Sequence, residues 1–343
     1  MTHRNLITDV SGVLVGHADD AAAVTGVTAV VLERGASAAV AIHGGAPGGR
    51  DTALLAADMT VERVDAIVLS GGSAFGLDAA GGVQAVLAEQ GRGFRIGAAI
   101  VPIVPQAIVF DLLNGGAKTW GRKPPYYDLG CRAAEAARGG DFALGTVGGG
   151  YGATTADLKG GIGSASAVTA GGHVVGAIAV VNAIGSGLIG DHGQFWAAPF
   201  ERGGEFGGLG WPSPLPADAL TLRMKGGGPP STTIACVVTD AAISKAQAHR
   251  IAVMAQDGLA RALRPAHAPM DGDTVFAAGT GDKPLDGGVV GLTEIGVAAA
   301  DCLARAIARG LYAATDPGPP YRGPPAWRDR FASLRHQGSS PVP

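Results

Sequence analysis

The chain changes character abruptly within Lys225-Gly-Gly-Gly-Pro-Pro-Ser-Thr-Thr-Ile-Ala-Cys-Val-Val-Thr-Asp240. The first half of this stretch has little preferred conformation, because the glycines leave the backbone free and the two prolines block a helix. Its second half, from Thr232 to Val238, is a β-branched apolar run that is typical of a buried strand. We therefore expect the chain to pass from an exposed linker into the core at Ser231 and Thr232.

A hydroxyl residue at the mouth of a central strand, behind a dispensable linker, is what a self-cleaving hydrolase with an N-terminal nucleophile requires. The hydroxyl attacks the carbonyl that precedes it, the peptide bond is cut, and the freed α-amine serves as the general base. Such an amine titrates near pH ~8, so it needs no histidine for this task. The alternative is that a Gly/Pro loop simply precedes a strand.

Composition limits the classes of function. The chain has 343 residues with 57 glycines, 47% hydrophobic and 16% charged residues, which indicates a globular protein and argues against disorder. A net charge of −3 without a basic stripe gives no sign of a nucleic-acid partner. The cysteines, Cys131, Cys236 and Cys302, are far apart, so they predict no disulfide framework and a reducing cytoplasm.

No membrane partner is expected either. The N-terminus lacks the apolar segment of a secretory signal, and the most apolar window, residues 96–110, is short and interrupted by Pro102 and Pro105. The eight histidines show no zinc-binding spacing, so we predict no metal site and no cofactor.

The remaining pattern alternates short strands and helices. It predicts strands at 13–16, 28–32, 39–42, 66–69, 165–168, 174–181 and 274–278, and helices at 53–59, 74–90, 131–137, 244–263 and 292–314. The segment 191–230 is rich in glycine, proline and aromatic residues and is expected to lie outside the core. The tail 316–343 is rich in proline and is expected to wrap or fray.

Two loops carry candidate chemistry. Ser70-Gly-Gly-Ser73 lies between a predicted strand and a predicted helix, where backbone N–H groups suit a carboxylate or an oxyanion; a simple tight turn is the alternative. Asp271-Gly-Asp273 places two carboxylates ahead of a strand, where they could orient an amine or hydroxyl, or merely form an Asx turn. It is no calcium loop, because Val275 occupies the next ligand position. Taken alone, Lys159 is typical of a surface lysine and Asn182 of a strand end.

The Thr232-Thr-Ile234 element, together with Pro269-Met-Asp-Gly-Asp-Thr274, resembles the self-processing L-aminopeptidase/D-esterase family. That family includes β-peptidyl aminopeptidases and the endo-type 6-aminohexanoate-oligomer (nylon) hydrolases. The likeness extends over nearly the whole chain, through the segments Ile7–His17, Leu69–Leu77 and Val101–Pro105 and the Gly-Asp-Lys stretch that ends at Lys283.

The resemblance implies a fold and a reaction. The fold would be an αββα layered sandwich of the N-terminal-nucleophile type, formed by a single hydrolase domain, 1–343. The chain would be cut into fragments 1–231 and 232–343 that stay associated, in a homo-oligomer such as a tetramer. Its substrates would be small peptides or ω-amino-acid amides, such as those of 6-aminohexanoate.

The resemblance also assigns roles to residues. Thr232 falls at the nucleophile, and Lys159, Asn182, Asp271 and Asp273 fall at the lysine, asparagine and paired-carboxylate positions of the nylon-hydrolase branch. Asn182 would donate to the oxyanion, and Lys159 would lower the proton affinity of the Thr232 hydroxyl or relay its proton. The two aspartates would hold the Lys159 ammonium and the new α-ammonium. The peptidase branch carries Ser and Glu in place of the aspartates, so the match indicates the nylon-hydrolase side.

Two residues depart from the family pattern. Ser231 stands where Asn or Gly is more familiar, which leaves slower cleavage, or cleavage before Thr233, as alternatives. Phe110 stands where relatives often carry a substrate-facing tyrosine; Phe110 and Ser73 are the predicted substrate-binding residues. Two other functions also stay open: acyl transfer like that of ornithine acetyltransferase, whose Ala-Thr cleavage junction is missing here, and binding of a small molecule by an uncut chain.

Overall fold

A computed structural model of the chain describes residues 3–227 and 230–336. Gly228 and Pro229 of the predicted linker, and residues 337–343 of the predicted tail, lie outside the described residues. The strands are β1 (Val13–Asp20), β2 (Thr25–Ile42), β3 (Gly49–Arg50), β4 (Val64–Ser70), β5 (Phe94–Ile96), β6 (Ala99–Val101), β7 (Gln106–Ile108), β8 (Gly161–Val168), β9 (Val174–Asn182), β10 (Thr232–Ala241) and β11 (Thr274–Lys283). The α-helices are α1 (Ala79–Glu89), α2 (Tyr126–Glu135), α3 (Lys245–Ala255), α4 (Asp257–Ala262), α5 (Gly288–Ala313) and α6 (Trp327–Arg330).

Two packed sheets share the long strand β2. Its first part pairs with β1 and β4, and its last part, from Ser37 to Ile42, pairs with β11, which continues through β10 and β9 to β8. The pattern predicted two strands here, at 28–32 and 39–42, and that division was wrong. A register shift between Val31 and Ala36, with Gly35 at φ +67°, lets one strand bend from one sheet into the other.

The sheets and helices form the four layers αββα. Side chains of β10 alternate between two cores: Ile234, Cys236 and Val238 face the space between the sheets, whereas Ala235 and Val237 face α3, α4 and α5. Helices α1 and α2 cover the outer face of the first sheet. The predicted sandwich is confirmed, and the apolar run 234–238 within β10 reflects its burial on both faces.

Three predicted helices are divided, shortened or partly 3₁₀ in the structure. The predicted helix 244–263 starts where expected, because Ser244 and Gln247 form a capping box, but it divides into α3 and α4 at Gln256. The predicted helix 74–90 begins as a 3₁₀ turn, Ser73–Asp78, and becomes α1 only at Ala79. The predicted helix 53–59 is a single 3₁₀ turn, Ala53–Leu55.

The segment 191–230 contributes to the core, contrary to expectation. Phe195 and Phe206 are buried, and Phe195 stacks on Trp327 from the tail. The described part of the tail is tied to the body as well, because the Lys159 N–H donates to the Pro325 carbonyl at 2.8 Å. No helix among residues 3–227 and 230–336 has the length and apolar character needed to cross a bilayer.

Close packing of α5 on β8 depends on Gly163. A methyl group at this position would lie 1.9 Å from the Ala306 carbonyl oxygen and 2.4 Å from the Gly310 nitrogen, both backbone atoms of α5. Gly163→Ala should therefore lower the free energy of unfolding by ~1–3 kcal/mol or more. Urea denaturation measures this change. Gly81→Ala is the matched control: its methyl would meet nothing closer than 3.5 Å, and it should be neutral or slightly stabilising. Equal midpoints for the two variants would contradict this packing.

Candidate active site

Four strand ends meet at one edge of the second sheet. Thr232 begins β10, and Asn182, which ends the antiparallel strand β9, lies directly opposite it. Strand β11 runs parallel to β10, so the Asp271–Asp273 turn that precedes it lies beside Thr232. Strand β8 runs antiparallel to β9, so its start, next to Lys159, lies at the same edge. The topology therefore gathers the predicted catalytic residues from four segments: Lys159, Asn182, Thr232, Asp271 and Asp273.

The carbonyl of Ser231, at the predicted cleavage site, is held by two donors. Gly272 N–H donates to this oxygen at 2.9 Å, and the hydroxyl of Thr232 donates to it as well. Ser231 N–H donates to the Met270 carbonyl at 3.2 Å, so the linker is hydrogen-bonded to the 270–272 turn just before β10 starts. Thr232 itself is 3% exposed. The bond before Thr232 is therefore fixed in position, with its hydroxyl against the preceding carbonyl.

Gly272 is required by this close approach. A methyl group on it would lie 2.8 Å from Thr232 Oγ1 and 2.7 Å from the Ala46 carbonyl oxygen. Such contacts are shorter than ordinary van der Waals distances, so a larger residue would displace either the hydroxyl or the turn.

Asp273 anchors the start of β10 on one side. Its Oδ1 accepts the Thr233 N–H at 2.9 Å, and its Oδ2 accepts the His267 N–H at 2.8 Å and lies 2.9 Å from His267 Nδ1. His267 adopts φ +57° at the beginning of the same loop. The sequence analysis did not predict that His267 contacts Asp273. The one available indication was that His267 lies in the same loop, six residues before that aspartate.

Asp271 lies on the other side with one oxygen unused. Its Oδ1 accepts the Ile184 N–H at 3.3 Å, whereas the buried Oδ2 has no hydrogen-bond partner among the described residues. Burial, and secondly the charge of Asp273, raise the pKa of Asp271 well above that of an ordinary carboxyl. The site thus holds a carboxylate oxygen that could accept a further donor.

The amide of Asn182 is fixed by three partners. Its Oδ1 accepts the Thr154 N–H at 3.0 Å and lies 3.2 Å from Lys225 Nζ, and its Nδ2 donates to the Phe110 carbonyl at 3.1 Å. Because Oδ1 faces two donors and Nδ2 faces an acceptor, the orientation of the amide is determined by its neighbours. Phe110 is thereby brought next to Asn182 through its backbone.

Lys159 is fully buried, in a cage of carbonyls. Its Nζ donates to the carbonyls of Gly150, Ala153 and Gly160 at 2.9–3.0 Å. Burial lowers its pKa to about 7, opposed by Asp111 and Asp316. No hydrogen bond or ion pair joins it to Asp271 or Asp273 within the described part of the chain. The resemblance implied that the aspartates hold this ammonium, and the intact chain does not show that arrangement.

Lys225 is a second lysine that the sequence reasoning passed over. It is half-buried, and its Nζ donates to the main-chain oxygen of Asn182 at 3.0 Å as well as to Oδ1. Burial lowers its pKa to about 7, and the charge of Asp271 acts in the opposite direction. Lys225 stands just before a run of glycines, where no helical or strand periodicity could have predicted that its side chain is partly buried.

A cavity of about 340 Å³ is lined in part by Phe110, Thr154 and Lys225, which are hydrogen-bond partners of Asn182. Its lining includes Phe110, Asn114, Thr154, Lys225, Pro230 and Arg322. Of the two predicted substrate-binding residues, Phe110 lines this cavity. Ser73 does not; it lies on the 3₁₀ turn after β4, and its N–H donates to the Val109 carbonyl at 2.9 Å. Among residues 3–227 and 230–336, no three His, Cys, Asp or Glu side chains are grouped to hold a metal ion.

Comparison with known sequences is consistent with a peptidase. Residues 5–319 match the model of peptidase family S58. The chain is 44% identical to an uncharacterized aminopeptidase of Mycobacterium bovis, over 95% of this chain and 98% of the relative. It is 30% identical to the 6-aminohexanoate-oligomer endohydrolase of a Kocuria species, over 81% of this chain and 75% of the relative.

Solved structures show the same fold. A β-aminopeptidase of a Burkholderia species superposes with a TM-score of 0.72 at 23% identity, over 99% of this chain and 96% of the other. The L-aminopeptidase D-Ala-esterase/amidase of Ochrobactrum anthropi, described as a new variant among the Ntn hydrolase fold, gives a TM-score of 0.66 at 20% identity, over 97% and 94%. The predicted resemblance is confirmed: the chain belongs to peptidase family S58 and is a hydrolase that acts on amide bonds.

Proposed function

We propose that the protein is a self-processing amide hydrolase whose nucleophile, Thr232, becomes N-terminal when the chain cuts itself after Ser231. It would cleave small peptides or ω-amino-acid amides through an acyl-enzyme, with fragments 1–231 and 232–343 remaining together. The observation that carries this proposal is the Ser231 carbonyl, held by the Gly272 N–H at 2.9 Å and contacted by the Thr232 hydroxyl.

That geometry supports self-cleavage by the following step. Thr232 Oγ1 attacks the Ser231 carbonyl carbon while its proton passes to the amide nitrogen, and the carbon–nitrogen bond breaks. The products of this step are an ester on Oγ1 and a free α-amine, and water then hydrolyses the ester. The Gly272 N–H already points at the oxygen on which negative charge develops, which is the role of an oxyanion-hole donor.

Turnover of a substrate would use the same hydroxyl. The new α-amine of Thr232 accepts the hydroxyl proton, and Oγ1 attacks the substrate carbonyl carbon. The α-ammonium then gives that proton to the nitrogen of the amine product as the carbon–nitrogen bond breaks, and water hydrolyses the ester on Oγ1. Asp271 Oδ2, buried without a partner among the described residues, would accept a hydrogen bond from the α-ammonium that cleavage creates. Asn182 would stabilise the oxyanion through Nδ2, which in the intact chain donates to Phe110.

The size of the cavity supports small substrates. Its volume of about 340 Å³ lies at the lower end of the range for small-molecule sites. Its wall combines the apolar Phe110 and Leu113 with the cations Lys225 and Arg322. Relatives named for 6-aminohexanoate oligomers and for aminopeptidase activity point to short amides as the first compounds to test.

Replacing the nucleophile tests the proposal directly. Purified wild-type protein should resolve on denaturing gels into fragments of about 23 and about 11 kDa, the mass shared in proportion to fragment length, and the smaller should begin Thr-Thr-Ile. Thr232→Ala should stay one chain and be inactive on short amides, whereas Thr233→Val, which removes only the neighbouring hydroxyl, should still be cut.

Each rival function predicts a different result. A wild-type chain that stays whole on incubation would favour simple binding of a small molecule. Cleavage before Thr233 instead of Thr232 would make Thr233 the nucleophile. Passage of the acyl group to an amino-acid amine instead of water would favour an acyltransferase.

Gly272→Ala should slow self-cleavage by about 100-fold, because the added methyl would push either the hydroxyl or the N–H donor out of line. The half-time of cleavage of freshly refolded protein measures this. Gly139→Ala is a suitable control, since its methyl would lie 3.6 Å from Leu14 in ordinary contact. Cleavage of Gly272→Ala at the wild-type rate would show that this turn does not organise the reaction.

A lysine that relays protons near neutral pH must titrate there, and Lys159 offers a test. Its pKa in the folded chain is about 7, below the ~10.4 of an unfolded lysine. Between these values the unfolded chain binds more protons, so the free energy of unfolding rises with pH. In the uncut Thr232→Ala chain, adding Lys159→Met should flatten this rise by up to ~1.4 kcal/mol per pH unit.

Urea denaturation at a series of pH values measures this slope. Lys123→Met serves as the control, because that side chain is 84% exposed, and it should leave the slope unchanged. Equal slopes with and without Lys159 would exclude a role for it in proton relay.

A further inference from the structure

We propose that Lys225 is a positioning residue of the active site, which holds the Asn182 amide in the orientation that oxyanion binding needs. The inference rests on the proposed function, because it takes Thr232 as the nucleophile and Asn182 as its oxyanion donor. Neither the family resemblance nor the linker pattern assigns Lys225 a role.

Lys225 contacts both oxygen atoms of Asn182, that of the main chain and that of the side chain. Its Nζ donates to the main-chain oxygen of Asn182 at 3.0 Å and to the side-chain Oδ1 at 3.2 Å. Asn182 is also the residue directly opposite Thr232 in the β9–β10 pair. One side chain therefore bridges the backbone and the amide of the residue that faces the nucleophile.

This bridge selects one of two amide orientations. The two ends of an asparagine amide have nearly the same shape, so only hydrogen bonding distinguishes them. With Oδ1 toward Lys225 and the Thr154 N–H, the amide keeps Nδ2 on the side of Phe110, which lines the cavity. A reversed amide would set its NH₂ against two donors and its oxygen against the Phe110 carbonyl. Without Lys225, the Thr154 N–H would be the one donor left to Oδ1 among the described residues.

Lys225 is itself fixed at the end of β9. Its backbone N–H donates to the Ile184 carbonyl at 3.0 Å, and the Ile184 N–H donates to Asp271 Oδ1 at 3.3 Å. These bonds do not involve residues 226–231. Lys225 should therefore remain in place when the bond after Ser231 is cut, on fragment 1–231 but held against the nucleophile.

Lys159 does not duplicate this role. Its Nζ is occupied by the carbonyls of Gly150, Ala153 and Gly160. Lys225, in contrast, faces Asn182 and lies close enough to Asp271 for that carboxylate to influence it. The positive charge beside the asparagine amide thus comes from the linker lysine.

Steady-state kinetics of the processed enzyme test the proposal. Lys225→Met removes the donor but keeps the apolar stem, and it should lower kcat about 10- to 100-fold with KM within about twofold, because a misplaced oxyanion donor weakens the transition state more than the bound substrate. Lys225→Arg keeps charged donors and should restore most of the loss, and Lys225→Gln should lie between. Lys123→Met, on the surface, should match wild type.

Two results would overturn it: unchanged kcat in Lys225→Met, or a change confined to KM, which would make Lys225 a substrate contact. If circular dichroism shows that Lys225→Met does not fold, kcat is compared between Lys225→Gln and Lys225→Arg instead. Equal kcat values in these two variants would count against the need for a charged donor at this position. Failure of the proposed function is distinguishable, since an uncut wild type or an active Thr232→Ala would reject that function whatever Lys225 does.

Discussion

The proposed site depends on one constraint: the carbonyl of Ser231 is held in place where the Gly/Pro segment leads into the buried strand β10. The Gly272 N–H fixes that oxygen at 2.9 Å, and the Thr232 hydroxyl contacts the same atom. Ser231 and Thr232 are both buried, with exposed fractions of 1% and 3%. The bond between Ser231 and Thr232 is thereby held against the 270–272 turn, which accepts the Ser231 N–H and donates to the Ser231 carbonyl.

The sheet topology explains why polar groups collect there. Strand β9 ends at this edge of the sheet, and β8, β10 and β11 begin there. Each strand therefore brings a polar side chain, or the turn that precedes it, to the same place. The cost is the burial of ionisable groups. Burial shifts the pKa of Lys159 and Lys225 down to about 7 and that of Asp271 up. These shifts bring groups that are ordinarily fully charged toward neutrality near physiological pH, where proton transfer is most effective.

The sequence predicted the parts of this site that lie on regular elements. The β-branched run after Thr232 and the apolar run before Asn182 are strands in the structure, and the carboxylates before Thr274 lie beside them, as their place ahead of a strand suggested. What it could not predict depends on packing between distant segments. Lys225 stands in a linker without periodicity, and its contact with Asn182 spans 43 positions. The single strand β2 was divided in two because Gly35 interrupts its pattern, and the buried Phe195 and Phe206 follow no regular spacing.

Self-cleavage at Ser231 can be tested by trapping the first ester. Freshly refolded chain in hydroxylamine should release fragment 1–231 ending in a Ser231 hydroxamate, identified by intact mass and by sequencing of its last peptide. That product requires that Thr232 Oγ1 has taken the Ser231 acyl group. A chain that stays whole in hydroxylamine, or a first cut at any other bond, would contradict the account.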